Sequence, residues 1–180
     1  DGYMDVLGSA FRCITWWENV DGSGTIWTEH TVSSDFSGAV SVYSADVNGD
    51  GYMDVLGAFH YGYITWWENM DGSGTRWTEY TIRQYFNEGT SAYSVYSADV
   101  NGDGCMDVLG AAMCDHLITW WENVDGSGTS WTEHTVSGNF GYAESVYSAD
   151  VNGDGCMDVL GAAMQADDIT WWDLTAMLSE

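Results

Sequence analysis

One segment of about 50 residues recurs roughly three and a half times along this 180-residue chain, and that periodicity limits the fold more than any other feature. Ser-Val-Tyr-Ser-Ala-Asp-Val-Asn-Gly-Asp-Gly starts at Ser41, Ser94 and Ser145. Ile-Thr-Trp-Trp starts at Ile14, Ile64, Ile118 and Ile169, and Asp-Gly-Ser-Gly-Thr starts at Asp21, Asp71 and Asp125 with Trp-Thr-Glu close behind. The chain therefore reads as one repeat domain in four parts. Residues 1–39 are a first repeat without its first strand. Residues 40–91 and 92–143 are full copies, and residues 144–180 are a last copy without its fourth strand, followed by a short tail.

Each copy reads as four short strands, rich in β-branched and aromatic residues and bounded by Gly, Asp, Asn or Ser. In the second copy they are expected at Val42–Val47, Met53–Phe59, Tyr63–Asn69 and Trp77–Ile82. Helical periodicity is confined to the tail at Leu174–Glu180. Adjacent tryptophans such as Trp66 and Trp67 must point to opposite faces of their strand, so the sheet needs cover on both sides. Four-stranded antiparallel blades in tandem, as in a β-propeller, supply it; a half-exposed sheet does not. The fold class is all-β.

Copies differ in length between Gly57 and Ile64 and between Ile82 and Ser94, and at the equivalent places. The Asn-Gly-Asp-Gly and Asp-Gly-Ser-Gly-Thr loops keep their length. Since antiparallel strands alternate direction, the two fixed loops share one end of the blades and the two variable loops share the other.

Asp46-Val47-Asn48-Gly49-Asp50-Gly51-Tyr52-Met53-Asp54 places side-chain oxygens at positions 1, 3, 5 and 9, with glycine at 6 and the Tyr52 carbonyl at 7. A hard cation with six to eight oxygen ligands needs such a set, and calcium suits it better than magnesium. The pattern returns at Asp99, Asn101, Asp103, Cys105 and Asp107, and again at Asp150, Asn152, Asp154, Cys156 and Asp158. A single copy would also serve as a polar hairpin, because Asp, Asn and Gly favour turns; three copies favour about three calcium sites. Asp1 and Asp5 form half a loop, so a fourth site needs another segment or chain.

Flanking strands and the lack of a glutamate at position 12 argue against an EF-hand. The Asp-x-Asn-x-Asp-Gly-x-x-Asp motif with Val-Leu-Gly-Ala behind it, and the Ile-Thr-Trp-Trp-Glu-Asn strand, resemble the FG-GAP (VCBS-like) repeat, the blade of integrin α-subunit propellers and of many secreted bacterial proteins. The resemblance covers nearly the whole chain. It implies propeller blades, usually seven to a ring, with calcium between the first two strands of a blade. A ring of seven would take on the order of 350 residues. The chain starts at Asp1 rather than Met and is read as a mature product or a fragment of a longer protein. The alternatives are two chains closing one ring, or copies stacked end to end through unpaired edges.

With 28 acidic residues, three arginines and no lysine, the formal net charge is −25. That repels nucleic acid and anionic membranes and invites bound cations. No apolar run is long enough for a membrane span. Cys13, Cys105, Cys114 and Cys156 permit two disulfides in three pairings but form no CxxC zinc pattern.

Glu18, Glu68 and Glu122, and Glu29, Glu79 and Glu133, recur in every copy, whereas glycoside hydrolysis needs one pair of acids in one cleft. They read as ladder or surface positions. His30 and His134 share a slot that Tyr80 fills, which argues against metal or catalysis there. The chain is expected not to be an enzyme. Residues that break the repeat mark the recognition end: Phe11, Arg12, Phe36, His60, Tyr61, Arg83, Tyr85, Phe86, Asn87, Asp115, His116, Asn139, Phe140 and Tyr142. Such mixtures suit glycans or cell-surface proteins. The expected function is a calcium-stabilised extracellular or cell-surface structural or adhesive module that self-associates; the alternative is a lectin-like binder using the variable loops.

Overall fold

The alternation of branched and aromatic residues between Gly- and Asp-rich turns is realised as antiparallel strands in the computed structural model, which describes residues 2–35, 37–84 and 91–175. The first sheet holds β1 (Val6–Ala10), β2 (Cys13–Asn19) and β3 (Trp27–Ser33). The second holds β4 (Ala39–Ala45), β5 (Asp54–Phe59), β6 (Tyr63–Asn69) and β7 (Trp77–Gln84). The third holds β8 (Ala92–Ala98), β9 (Asp107–Ala112), β10 (Leu117–Asn123) and β11 (Trp131–Ser137). The fourth holds β12 (Ala143–Ala149), β13 (Asp158–Ala163) and β14 (Asp168–Trp172). Within each sheet the strands pair in chain order, giving tandem blades.

The boundaries differ from the sequence reading where a side chain competes with the ladder. β4 starts at Ala39 and stops at Ala45, because Asp46 turns back to accept the amides of Asp50 and Gly51. In the full blades the first strand carries a bulge, between Ala39 and Ser41 and between Ala92 and Ser94, and the third carries one at Ile64/Thr65 and Ile118/Thr119. Leu174 and Thr175 form no helix, and residues 176–180 lie outside the described part.

The paired tryptophans do point in opposite directions. Trp66 stacks on Tyr80 at 4.8 Å and faces the third sheet, where a Cβ on Gly128 would lie 2.6 Å from its ring. Trp67 faces back into a cluster with Ile14, Val55 and Phe59. Both are almost fully buried, at 1% and 2% exposure. Each such indole removes about 150–250 Å² from water, worth roughly 4–6 kcal/mol before entropy is counted.

The first strands of successive sheets lie side by side. Period-two alternation puts Ser41 and Tyr43 on one face, and both bridge sheets. Val95 N donates to Ser41 Oγ and Val146 N to Ser94 Oγ, each at 3.3 Å. The Tyr43, Tyr96 and Tyr147 rings form a ladder with centroids 4.5 and 4.4 Å apart. Burial, helped by hydroxyl bonds among the three, pushes the Tyr96 phenol well above its ordinary range.

All four cysteines are free, so neither of the two disulfides that their number permits is formed. No helix among the described residues is long and apolar enough to cross a membrane.

Candidate functional site

The two fixed loops meet at one end of each blade, as the strand order requires. In the first of them, between β4 and β5, short polar side chains fold the backbone onto itself. Asp46 Oδ1 accepts the Asp50 amide at 3.0 Å and Oδ2 the Gly51 amide at 2.9 Å. Asn48 Oδ1 accepts the same Asp50 amide at 3.1 Å, and Asp50 Oδ1 accepts the Tyr52 amide at 2.8 Å. Gly49 and Gly51 have φ of +73° and +91°, a region that side chains other than glycine's resist. The turns at Asp99–Asp107 and Asp150–Asp158 repeat these bonds, with Cys105 and Cys156 amides in place of Tyr52.

The ninth position does more than the sequence indicates. Asp54 is fully buried, and its carboxylate accepts the Val47 amide at 3.0 Å and the Asn69 amide at 2.8 Å. Asp107 holds Val100 and Asn123 in the same way. Asp158 holds Val151 at 2.9 Å, but its Oδ1 is buried without a hydrogen-bond partner among the described residues: Leu174 stands in the slot of Asn69 and Asn123, and its amide does not make the bond that theirs do. Asp5 accepts the Asn19 amide at 2.9 Å, and Asp1 lies outside the described residues.

Asn69 and Asn123 were not singled out by sequence, yet they tie the two fixed loops together. Asn69 Oδ1 accepts the Gly74 amide while its Nδ2 donates to the Met53 carbonyl. Asn123 makes the matching bonds and also reaches the Val47 carbonyl of the preceding sheet at 2.8 Å. Their signal was the Asn that ends Trp-Trp-Glu-Asn in the first three copies. The second loop is closed by its own hydroxyls. Asp71 accepts Thr75 Oγ1 at 2.8 Å and the Ser73 amide at 3.0 Å, and these bonds hold its carboxyl well below the usual range.

The donor chemistry of the first loop fits a hard divalent ion: carboxylates, an amide oxygen and a carbonyl, with one buried carboxylate oxygen at Asp158 lacking a partner. Among the described residues, however, no three His, Cys, Asp or Glu side chains stand close enough to share an ion as they are. Loop oxygens now bonded to backbone amides would have to turn or offer their second lone pair.

Burial pushes the Asp54 and Asp107 carboxyls up to about 6; their two amides oppose the shift and the neighbouring aspartates add to it. A carboxyl whose folded pKa exceeds its unfolded value of 3.8 binds protons more tightly in the folded state. Its stabilising contribution is complete below that lower value and is lost as pH rises through about 6. Urea denaturation in chelator is therefore expected to show unfolding free energy falling from pH 5 to 7, by on the order of 1–2 kcal/mol per site after solvent screening. Asp54→Asn and Asp107→Asn together should flatten that slope. A flat or rising wild-type profile would contradict the assignment.

At the other end, the predicted recognition residues mostly serve the fold. Phe140 is 5% exposed and packs edge-on against Trp172, so it belongs to the core rather than to a recognition surface. Arg83 pairs with Glu133 of the third sheet. His116 Nδ1 accepts the Tyr142 amide at 3.0 Å, and both residues have φ of 57°. His60 contacts Ser91 and meets Tyr93 edge-on. Arg12 is exposed, as are Phe11 at 69% and Tyr61 at 62%. Phe36, Tyr85, Phe86 and Asn87 lie outside the described residues. The slot shared by His30, Tyr80 and His134 is a stacking position on Trp16, Trp66 and Trp120, with each ring bonded to Glu18, Glu68 or Glu122. Glu68 also accepts Asn48 Nδ2 from the adjoining turn.

A profile described as an FG-GAP-like repeat matches three overlapping segments, residues 1–57, 47–110 and 106–161. No curated protein matches the chain.

Proposed function

Because this chain belongs to the FG-GAP-like repeat family, we propose that it is a calcium-stabilised extracellular structural or adhesive module that associates with further copies of itself. The observation carrying the reading is the repeated turn that sets three aspartates within nine residues and buries the last of them, here Asp46, Asp50 and Asp54. A cation held by Asp46, Asn48, Asp50, the Tyr52 carbonyl and Asp54, and by their counterparts in the next two turns, would supply charge neutralisation and cross-linking of the β4–β5 type of junction. Asp54 and Asp107 already anchor the strand ends on either side, so an ion there would brace the blade rather than activate a substrate. The reading assigns no catalytic step, since the recurring acids are engaged by Trp, His, Tyr or Arg partners.

Calorimetric titration of calcium into chelator-stripped protein tests this. About three equivalents should bind, at roughly 10⁻⁴ to 10⁻³ M or somewhat tighter. Asp103→Ala should remove one equivalent. Asp71→Ala, in the hydroxyl-closed loop, should leave all of them. Absence of binding heat, or equal loss in both variants, would refute the reading.

The exposure of Phe11 and Tyr61 on either side of Gly38 favours a second use, glycan stacking at the variable end. Specific glycan-array binding lost in Tyr61→Ala would support it.

A further inference from the structure

The Asp46–Asp54 turn of the second sheet and the Asp99–Asp107 turn of the third are joined by a run of buried hydrogen bonds. Asp54 Oδ2 accepts the Val47 amide at 3.0 Å, and the Val47 carbonyl accepts Asn123 Nδ2 at 2.8 Å. The Asn123 amide in turn donates to Asp107 Oδ1 at 2.9 Å, and Asp107 Oδ2 accepts the Val100 amide at 3.0 Å. Val47, Asp54, Val100, Asp107 and Asn123 are each at most 2% exposed. Water does not reach these groups, so movement at one member leaves a dry donor or acceptor at the next.

Both ends of the Asn123 amide are committed. Its Oδ1 accepts the Gly128 amide at 2.9 Å, and its Nδ2 also donates to the Met106 carbonyl at 3.2 Å. Turning away from Val47 would break bonds inside its own sheet. The next junction supplies a control. Leu174 holds the slot of Asn123 in the fourth sheet, is 2% exposed and packs in one apolar cluster with Val100. A leucine side chain offers the Val100 carbonyl no donor. The third and fourth turns therefore lack the tie that joins the second and third.

We infer that Asn123 couples the Asp46–Asp54 and Asp99–Asp107 turns, so that loosening either one loosens the other, while the Asp150–Asp158 turn opens independently. Asn123 is a positioning residue: it acts on Asp54 through the Val47 peptide unit and on Asp107 through its own amide. Such coupling is reciprocal, because one free energy is shared by two sites. The tie consists of protein groups alone and needs no ion. On the calcium reading, the second and third turns then fill as a pair and the fourth fills alone.

Native-state hydrogen exchange on the whole chain in chelator, resolved by amide with NMR, is the test. Asp99→Ala removes the acceptor of the Gly102, Asp103 and Gly104 amides and loosens the third turn. It should speed exchange of the Val47 amide by about fivefold or more. The Val151 amide, which Asp158 holds as Asp54 holds Val47, should change by less than about twofold. Asp46→Ala should speed exchange at Val100 by a factor similar to that at Val47. Both transfers should vanish when each substitution is added to Asn123→Leu and compared with that single variant, which copies the residue already present at 174. Asn123→Asp, which keeps an acceptor for Gly128 but no donor for Val47, takes its place if the leucine variant does not fold. Equal speeding of Val47 and Val151, no speeding of Val47, or transfer that persists without the Asn123 donor would overturn the coupling. Calcium titration of the wild type is a separate result. Transfer without calcium binding leaves the coupling standing and removes the ion, and calcium binding without transfer does the reverse.

Discussion

Chelating divalent ions is expected to lower the melting temperature by roughly 5–10 °C for each turn emptied. A ligand at a hundredfold excess over its dissociation constant, bound only by the folded state, contributes about 2.7 kcal/mol. For a domain of this size each kcal/mol moves the midpoint by about 2–4 °C. The effect is large here because 28 acidic residues face only three basic ones, so removing cations restores repulsion as well as loosening the turns. Differential scanning calorimetry in chelator, then with calcium restored and with magnesium at equal concentration, is the measurement. Calcium should restore the midpoint and magnesium should do so poorly, since magnesium demands tighter octahedral geometry than these turns offer. An unchanged midpoint in chelator would remove the metal from the account.

Trp66→Ala is expected to cost about 3–5 kcal/mol in urea denaturation, against under about 1 kcal/mol for Trp171→Ala measured at monomeric dilution. The two residues hold the same place in the repeat, and only their neighbours differ. Trp66 is 1% exposed, stacks on Tyr80 and covers Gly128, so truncation opens a cavity between two sheets. Trp171 is 42% exposed and loses far less packing on truncation. Equal costs would mean that the indole matters mainly within its own strand and that its cover of Gly128 adds little to stability.

Much of this arrangement was legible in the sequence because the repeat displays the same local rules several times. The all-β blades, the shared end of the two fixed loops and the divergence of Trp66 and Trp67 all follow from period-two alternation and turn chemistry. What stayed hidden depends on contacts between sheets or on how a side chain spends its hydrogen bonds. Asp54 reads as one more loop oxygen, yet its burial makes it a clamp on the Val47 and Asn69 amides. Phe140 breaks the repeat and so looks like a recognition residue, but it fills space beside Trp172. The Ser41 and Tyr43 pattern was visible as strand, and nothing within one repeat tells that its partners are Val95 and Tyr96 of the next.

The ladder of Tyr43, Tyr96 and Tyr147, with the serine bonds beside it, joins the second sheet to the third and the third to the fourth. A molecule wired in that way behaves like a stack of coins: beyond what holds each sheet together, cohesion is gained between immediate neighbours. The outermost members are then the loosest, the middle ones are gripped from both sides, and every added neighbour firms up the whole column.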